Sequence, residues 1–365
     1  MSTTTSPSSV PAPAPWPLDA WYHAAWSDEV ADKPLGRTLL DQPVVLFRDA
    51  GGAARALADR CAHRATPLRL GEVTPAGLQC GYHGVTFDGS GRCTLIPGQD
   101  AIPEAMCVRS YPILERQQIL WIWMGDPKRA DEALLAVDFP WLDDQVNWPH
   151  VYDVYEIEAG YELLVDNLMD LTHLPFIHRA TIGGGNQKGQ IEATMEVTPT
   201  EHGVHYIRWM EAITPPPTYV KGAGFADGIL VDRWQEFEYV APSTVLQWTG
   251  ALPVGQGAKE NRVQPGGFNL RLYHGATPRT ATSCYYFWTP LNGYNPTDAE
   301  ATKLLHNEIA FTFDEDVAFL EAQQAEVSTR PDVALVNIRH DRARVHASRA
   351  LTSMIERERP RSPTG

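Results

Sequence analysis

Residues 61–84 read CAHRATPLRLGEVTPAGLQCGYHG and contain the pattern that is most informative about the fold. It contains a Cys-x-His pair, Cys61 and His63, and a Cys-x₂-His pair, Cys80 and His83, and sixteen residues separate the two pairs. Glycines flank the second pair, as expected where a tight β-turn points side chains inward. Two thiolates and two imidazoles suit zinc or an iron–sulfur cluster, because both accept soft sulfur and borderline nitrogen ligands.

The order of the ligands distinguishes these two metals. Structural zinc sites mostly use Cys-x₂₋₄-Cys knuckles, whereas here each loop offers one sulfur and one nitrogen. In a Rieske [2Fe–2S] centre two His replace two Cys on one iron, which raises the potential to ~−150 to +300 mV. We interpret the four residues as ligands of such a centre; zinc, or four unrelated residues, are the alternatives. Cys93, Cys107 and Cys284 have no His at ligand spacing, and we assign them no role.

A second group of metal-binding residue types lies in DNLMDLTHLPFIH, residues 166–178. A helix predicted near 160–173 places Asp170 and His173 on one face. Pro175 disfavours helix at the residue before it, and a break there lets His178 converge with His173. Two such His with one carboxylate form the facial triad of non-haem Fe(II) oxygenases. The alternative is that both His are ordinary hydrogen-bonded core residues.

The candidate carboxylate is Asp316, in a predicted C-terminal helix over 298–327. At ~100° per residue it falls within an apolar stripe, while Asp314 and Glu315 point away. That stripe consists of Ile309, Phe313, Val317 and Leu320. A carboxylate aimed into a core needs a partner, which is either iron, a basic side chain or a helix cap.

Composition limits the class of protein. The chain has 365 residues, 43% of them hydrophobic, so we expect two unequal globular domains. The net charge of −15 disfavours nucleic acid and anionic membranes as partners. Apolar runs such as residues 119–124 are far shorter than the ~20 residues that cross a bilayer. Five cysteines, an odd and sparse set, favour a reducing cytoplasm.

The pattern of strand-like and helical segments along the sequence predicts an α+β protein. We expect a disordered arm over 1–15, a small antiparallel β domain over 16–127, and a second domain over 128–356 that combines a curved antiparallel sheet with helices. The connection between the domains falls within 126–149, and 357–365 form a flexible tail.

These residues resemble the Rieske non-haem iron aromatic-ring oxygenases, most closely the vanillate O-demethylase group, which includes dicamba- and toluenesulfonate-type enzymes. The resemblance runs nearly end to end. Its motifs beyond the ligands are Ala20-Trp-Tyr, Lys33-Pro-Leu-Gly-Arg37, Pro97-Gly-Gln99, Asp166-Asn-Leu-Met-Asp-Leu-Thr-His173 and Glu315-Asp316 before Gln323-Gln324. Gly81 and Val85 stand where many members have Pro and Trp, a variant that the vanillate branch resembles.

The resemblance implies a Rieske domain joined to a helix-grip catalytic domain, in a homotrimer in which electrons cross between subunits. Asp170 is then the bridging carboxylate between His173 and a cluster His of the neighbouring subunit, for which His83 is the candidate. The implied partner is an NADH-dependent reductase carrying flavin and a ferredoxin-type cluster, since this chain has no Gly-rich nucleotide fingerprint.

The implied reaction uses O₂ to convert vanillate into protocatechuate and formaldehyde. Another substituted arene is the alternative substrate, such as syringate, a chlorinated methoxybenzoate or an arylsulfonate. An electron-transfer protein is the alternative of a different class. Segments matching where these demethylases contact substrate contain Gln235, His274 and Asn307, and Arg233 is placed to pair with a substrate carboxylate.

Overall fold

The computed structural model describes residues 15–185 and 187–358. The predicted arm therefore lies outside the described residues, apart from the exposed Pro15. The predicted tail starts too early, because Arg357 and Glu358 are still helical. The Glu358 carboxylate accepts hydrogen bonds from the backbone N–H groups of Leu18 (2.7 Å) and Asp19 (2.9 Å), which ties this helix end to the start of the chain. Residues 359–365 lie outside the described range.

The N-terminal part is built only from short strands and 3₁₀ turns, which confirms the predicted all-β domain. Its three antiparallel sheets have the strand orders β1-β11-β10, β2-β3-β4-β9 and β5-β6-β7-β8. The strands are β1 (Trp21–Trp26), β2 (Leu35–Leu39), β3 (Gln42–Arg48), β4 (Ala54–Ala58), β5 (Glu72–Thr74), β6 (Gly77–Gln79), β7 (Thr86–Phe87), β8 (Cys93–Leu95), β9 (Ser110–Tyr111), β10 (Ile113–Arg116) and β11 (Ile119–Trp123).

The C-terminal part is one seven-stranded antiparallel sheet with helices against it, in the order β12-β18-β17-β16-β15-β14-β13. The strands are β12 (Asp153–Ile157), β13 (Thr194–Pro199), β14 (Gly203–Ile213), β15 (Val231–Val240), β16 (Thr244–Pro253), β17 (Phe268–Thr280) and β18 (Ser283–Asn292). The helices are α1 (Tyr161–Met169), α2 (Leu174–Ile177), α3 (Gln187–Ile191), α4 (Pro217–Ala223), α5 (Ala299–Thr329) and α6 (Arg342–Glu358). The predicted α+β class with a helix-grip domain is confirmed.

The long helix α5 packs against β18 and buries its apolar stripe there. Asp298 begins it as the N-cap, since its carboxylate accepts hydrogen bonds from the backbone N–H groups of Glu300 and Ala301. The helix α6 was not predicted from the sequence. Its mean hydropathy is low, and only Ala343, Ala347 and Leu351 are buried along it, so its apolar stripe is too thin to stand out.

The predicted helix over 160–173 is wrong in its second half. The helix α1 ends at Met169, and Asp170 adopts an extended conformation (φ −128°, ψ 101°). Its carboxylate accepts a hydrogen bond from the backbone N–H of Thr172 (2.9 Å) and so caps a separate 3₁₀ turn, Leu171–His173. Asp170 and His173 therefore do not share the face of one helix.

The position of the predicted break is also wrong. Pro175 lies in the first turn of α2, where its ring is tolerated because that N–H has no partner within the helix. The chain instead turns at Asp170 and again after Ile177, where His178 leaves the helix with φ −94° and ψ 39°. These two turns, rather than the proline, bring the imidazoles together.

The two parts share one hydrophobic core, and a second, smaller core lies in the N-terminal part. The shared core contains Tyr22 and Trp121 from the β domain and Phe287 from the large sheet. Main-chain hydrogen bonds join the parts as well, from Leu40 N–H to Pro278 O (2.9 Å) and from Asp41 N–H to Arg279 O (2.9 Å). The smaller core is built around Cys61 and Cys80.

Candidate metal centres and substrate cavity

Two loops of matching conformation hold the first set of predicted ligands. Cys61 N–H donates to Thr66 O (2.9 Å) and Ala65 N–H donates back to Cys61 O (3.0 Å). The second loop repeats this, from Cys80 N–H to Val85 O (2.8 Å) and from Gly84 N–H to Cys80 O (3.0 Å). The fourth residue after each Cys has a positive φ, 61° at Ala65 and 71° at Gly84.

Within these loops the sulfurs lie inside the domain and the imidazoles lie outside. Cys61 and Cys80 are 3% and 2% exposed, whereas His63 and His83 are exposed, with ring centroids 4.6 Å apart. Burial, and to a smaller extent the adjacent Cys80, raises the pKa of the Cys61 thiol, and a bound metal would favour its thiolate form. A buried sulfur pair beside an imidazole pair fits a [2Fe–2S] cluster with one iron on each pair.

The remaining cysteines are not part of this ligand set, although Cys93 packs against the small core around Cys61 and Cys80. Cys284 is buried in β18, and burial raises the pKa of its thiol to about 12. Cys93 is half-buried and Cys107 is exposed. Nothing in their surroundings gives them a role.

The second set of predicted ligands, His173, His178 and Asp316, comes together between α1, α2 and α5. Asp316 Oδ1 lies 3.2 Å from His178 Nε2 and 3.6 Å from His173 Nε2. The three ligand atoms all lie within 4.8 Å of one another. Such spacings fit one ion with bonds of ~2.0–2.2 Å. Two imidazoles and one carboxylate on one side of an ion are the donor set of non-haem Fe(II) oxygenases.

Hydrogen bonds on the far side of each imidazole aim the Nε2 atoms at this point. His173 Nδ1 contacts the backbone carbonyl oxygen of Asp170 (2.7 Å), and His178 Nδ1 contacts Glu315 Oε2 (2.9 Å). Each acceptor holds the proton on Nδ1 and leaves Nε2 free for the metal. The third ligand is oriented by Asn167, whose Nδ2 donates to Asp316 Oδ1 (3.0 Å).

Electrostatics at this site favour a bound cation. Burial lowers the pKa of His173, with Asp316 offsetting part of that effect, so this imidazole is neutral at neutral pH. Burial acts on His178 in the same direction, but hydrogen bonds to Asp316 and Glu315 outweigh it and raise its pKa. A metal ion takes the place of the proton that His178 and Asp316 would otherwise share.

Two residues of this site were missed in the sequence. Glu315 was expected to point away from the core, yet its carboxylate reaches His178. The motif that contains Asn167 did not single this residue out. Its inward position was predictable, because a polar residue between the buried Leu164 and Leu168 lies on the inner side of α1.

A narrow cavity of about 30 Å³ lies between the sheet and α5. Arg233 and Gln235 line it together with Gln247 and Thr249 on β16. Its apolar walls are formed by Ile182, Phe268, Leu270, Leu272, Ile309 and Phe313. Phe313 lies about one helical turn before Asp316 on α5, so the cavity and the metal centre border the same part of this helix.

Arg233 is the charged group of this cavity. It is 1% exposed, its Nε donates to the Tyr219 hydroxyl (3.2 Å), and its guanidinium lies over the Tyr219 ring. Within the described part of the chain, its Nη1 has no hydrogen-bond partner and no carboxylate pairs with it.

The other two predicted pocket residues lie elsewhere. His274 is buried behind the cavity wall, with Nε2 2.9 Å from Gln247 Oε1 and Nδ1 2.7 Å from the Tyr286 hydroxyl. Burial lowers its pKa to about 3, so it is neutral. Asn307 is wrong as a pocket residue, because it is exposed on the outer side of α5.

The fold and the two ligand sets together define a Rieske-type non-haem iron oxygenase component, an oxidoreductase with a [2Fe–2S] cluster and mononuclear iron. Comparison with known proteins identifies the branch. Residues 20–112 match the Rieske [2Fe-2S] domain family, and residues 157–357 match the vanillate O-demethylase oxygenase C-terminal domain family. The chain belongs to this family of O-demethylase oxygenase subunits.

Several known proteins are similar over nearly their whole length. A putative toluene-4-sulfonate monooxygenase system iron-sulfur subunit of Comamonas testosteroni is 38% identical over 88% of this chain and 92% of its own. A vanillate O-demethylase oxygenase subunit of a Pseudomonas species is 34% identical over 94% and 96%. The crystal structure of dicamba monooxygenase bound to 3,6-dichlorosalicylic acid superposes with a TM-score of 0.86 at 32% identity, covering 93% of this chain and 98% of that one.

Among the residues that the structure describes, no helix combines the length and the apolar character needed to cross a membrane.

Proposed function

We propose that this chain is the terminal oxygenase that O-demethylates a methoxylated aromatic acid, with vanillate as the first candidate. The observation that carries the proposal is Arg233, a buried guanidinium without an acidic partner in the described chain, in the cavity next to the iron ligands. Arginine stays charged in proteins, and a buried charge is destabilising until it is paired. An aromatic carboxylate supplies that pairing.

The rest of the cavity has the apolar character that an aromatic ring needs, but at about 30 Å³ it must widen to admit one, since ligand pockets usually measure ~300–1,000 Å³. Leucine, isoleucine and phenylalanine side chains form its walls, and such surfaces bind rings while a few polar groups fix the orientation. With its carboxylate at Arg233, the substrate extends along Phe313 towards Asp316. This orientation presents a ring methoxy group to the iron.

The reaction balances with two external electrons. The iron site, when loaded, supplies the activation of O₂. A methoxyarene, O₂, two electrons and two protons give a phenol, formaldehyde and water, since the hydroxylated methoxy carbon is a hemiacetal that collapses. Vanillate would give protocatechuate. Oxygenase components of these systems work with a reductase, and for this chain we infer an NADH-dependent one that carries flavin and a ferredoxin-type cluster.

We infer that electrons reach the iron from the cluster of a neighbouring subunit in a homotrimer. A surface depression of about 430 Å³ beside the iron site is lined by Asp170, His173, further polar and charged side chains such as Asp166 and Arg344, and apolar side chains. The exposed apolar residues Phe176, Phe319, Leu335 and Val336 lie in or around it. On the β domain, His83 and Tyr82 are exposed in the same way, which supports their burial against another copy.

Asp170 is proposed to bridge the two subunits, with one change from the sequence-based prediction. Within the chain its backbone carbonyl, not its carboxylate, contacts His173. The carboxylate oxygen Oδ1 accepts from Thr172 N–H and hydroxyl. Its Oδ2 has no hydrogen bond within the described chain and lies at the depression, in place to accept from His83 of the partner.

A second candidate function is hydroxylation of an arylsulfonate. Tyr219 Oη accepts from Arg233 Nε, so its own hydrogen remains available at the cavity. A tyrosine hydroxyl beside a guanidinium gives enough donors for the three oxygens of a sulfonate. Relatives named for toluene-4-sulfonate reach 38% identity.

Product analysis with both substrates tests the proposal. The oxygenase is combined with a reductase, NADH and O₂, and supplied with vanillate or toluene-4-sulfonate. Formaldehyde and protocatechuate in amounts equal to the vanillate consumed support demethylation, whereas 4-(hydroxymethyl)benzenesulfonate supports the second candidate. If NADH is oxidised without product from any aromatic acid, the proposal is wrong and an electron-transfer role is favoured.

A further inference from the structure

We infer that Arg208 holds the side-chain amide of Gln235 with its NH₂ group towards the cavity. In this orientation Gln235 and Arg233 together bind an aryl oxyanion. The oxyanion is a carboxylate or a sulfonate. The inference rests on the proposed function, because it concerns the same cavity and the groups there that select the substrate.

The contact between Arg208 and Gln235 determines which way the amide points. The two residues are directly opposite each other on the paired strands β14 and β15, and Arg208 Nη1 lies 3.1 Å from Gln235 Oε1. A guanidinium has donors only, so the amide atom that faces it is the oxygen. The NH₂ group therefore points the other way.

Arg208 is fixed independently of any ligand. It is 4% exposed, and its other hydrogen bonds go to backbone carbonyls, from Nη1 to Leu171 O (3.0 Å) and from Nη2 to Gln190 O (2.5 Å). These contacts leave it no freedom to turn into the cavity. Its role is to position Gln235, whereas Arg233 meets the ligand.

Gln235 and Arg233 present their free donors side by side. They are two residues apart on β15, so their side chains leave the same face of the sheet. Both are buried and both line the cavity. Neither Gln235 Nε2 nor Arg233 Nη1 donates to a protein group in residues 15–185 and 187–358. Two adjacent donors match two oxygens of one anion.

Gln247 provides an internal comparison on the neighbouring strand. It lines the same cavity, but its amide faces His274. A neutral imidazole nitrogen either donates or accepts, depending on the tautomer. Gln247 is thus not held in one orientation by a donor-only partner, and it should contribute little to the preference for an anion.

Equilibrium binding measures this preference without turnover. Isothermal titration calorimetry on the iron-loaded oxygenase, without reductase or NADH, compares 4-methylbenzoate and toluene-4-sulfonate with the neutral 4-methylbenzamide. The parent protein should bind at least one anion about tenfold or more tightly than the amide. Gln235→Met should reduce this ratio about tenfold, whereas Gln247→Met should change the affinities for all three compounds alike.

The role of Arg208 is tested through Gln235. Arg208→Met frees the side-chain amide of Gln235 to turn, so the ratio of the affinity for the anions to the affinity for 4-methylbenzamide should fall. A purely structural defect would weaken the binding of all three ligands equally. Arg208→Lys, also a donor, should restore much of the ratio. In the Gln235→Met background, Arg208→Met should cause no further change in the ratio. If Arg208→Met does not fold, the comparison of Gln235→Met with Gln247→Met decides alone.

Equal effects of Gln235→Met and Gln247→Met on the ratio, or no preference for anions in the parent, would overturn the inference. Its failure is separable from that of the proposed function. An anion preference that depends on Gln235, without demethylation, would support the inference and contradict the proposed demethylase function. Demethylation by the parent, with an unchanged ratio of affinities in Gln235→Met, would support the proposed function and contradict the inference.

Discussion

His178 Nδ1 lies 2.9 Å from Oε2 of Glu315, the residue that directly precedes the ligand Asp316. One turn of α5 thus supplies both a proposed ligand of the iron and the carboxylate that orients another proposed ligand. Carboxylate–imidazole–metal arrangements of this kind fix the tautomer of the imidazole and increase its basicity.

Removal of this carboxylate should weaken iron binding without unfolding the protein. For Glu315→Ala we expect about 10- to 100-fold weaker binding of the mononuclear iron, measured by competition with an iron chelator. Asp314→Ala, an exposed neighbour on the same helix, is the matched control and should bind iron as the parent does. Equal iron affinity in Glu315→Ala and the control would show that the contact has no role in binding.

Asp170→Asn tests the proposed route of electrons. Both metal centres should remain bound, because the carbonyl that contacts His173 and the oxygen that caps Thr172 are retained. Turnover should stop, since a bridging carboxylate is lost. Rapid-mixing spectroscopy should show a cluster that is reduced by the reductase but is not reoxidised in the presence of substrate and O₂. Full activity of this variant would remove Asp170 from the route.

Arg233→Met tests the anion site by turnover. For vanillate we expect kcat/KM to fall about 100-fold or more, because a buried charge pair is lost. Guaiacol, the same methoxyphenol without the carboxylate, should be turned over by parent and variant at similar rates. A parallel loss with both substrates would indicate damage to the cavity rather than loss of recognition.

The contact of His205 with Glu236 predicts a pH dependence of stability. The hydrogen bond to Glu236 raises the pKa of His205, although burial opposes it. Because the pKa of His205 is raised in the folded state, the contact stabilises the protein fully at pH values below the pKa of the unfolded chain, ~6.5. This stabilisation is lost as the pH rises through the pKa of the folded state.

Calorimetry on His205→Gln measures this contribution. The difference in Tm from the parent should be about 1–3 °C near pH 6 and should vanish at higher pH. His202→Gln, an exposed histidine nearby, is the control and should show no such trend. A difference that grows with pH would contradict the assignment.

Much of the site was predictable because its residue types are rare and their order is restrictive. Two Cys and two His in adjacent loops, followed by two His and a carboxylate on a buried stripe, specify both centres. The burial of Asp316 followed from its periodicity along α5. The same periodicity excludes Asn307, which lies nine residues before Asp316 and so, at ~100° per residue, on the opposite side of the helix.

Other features depended on local side-chain contacts that periodicity does not capture. Asp170 ends α1 because its carboxylate binds the next turn of backbone, an option that competes with helix. Glu315 leaves α5 about 100° away from Asp316, but its longer side chain still reaches His178. The orientation of Gln235 became apparent only when β14 and β15 were paired.

Iron analysis combined with electron paramagnetic resonance on Asp316→Ala tests the central claim most directly. The parent should contain two cluster irons and one mononuclear iron per chain, as expected for this pair of sites. In Asp316→Ala the mononuclear iron should be lost and product formation should stop, while the signal of the reduced cluster persists. Unchanged iron content in this variant, or loss of the cluster signal instead, would contradict the assignment of the two centres.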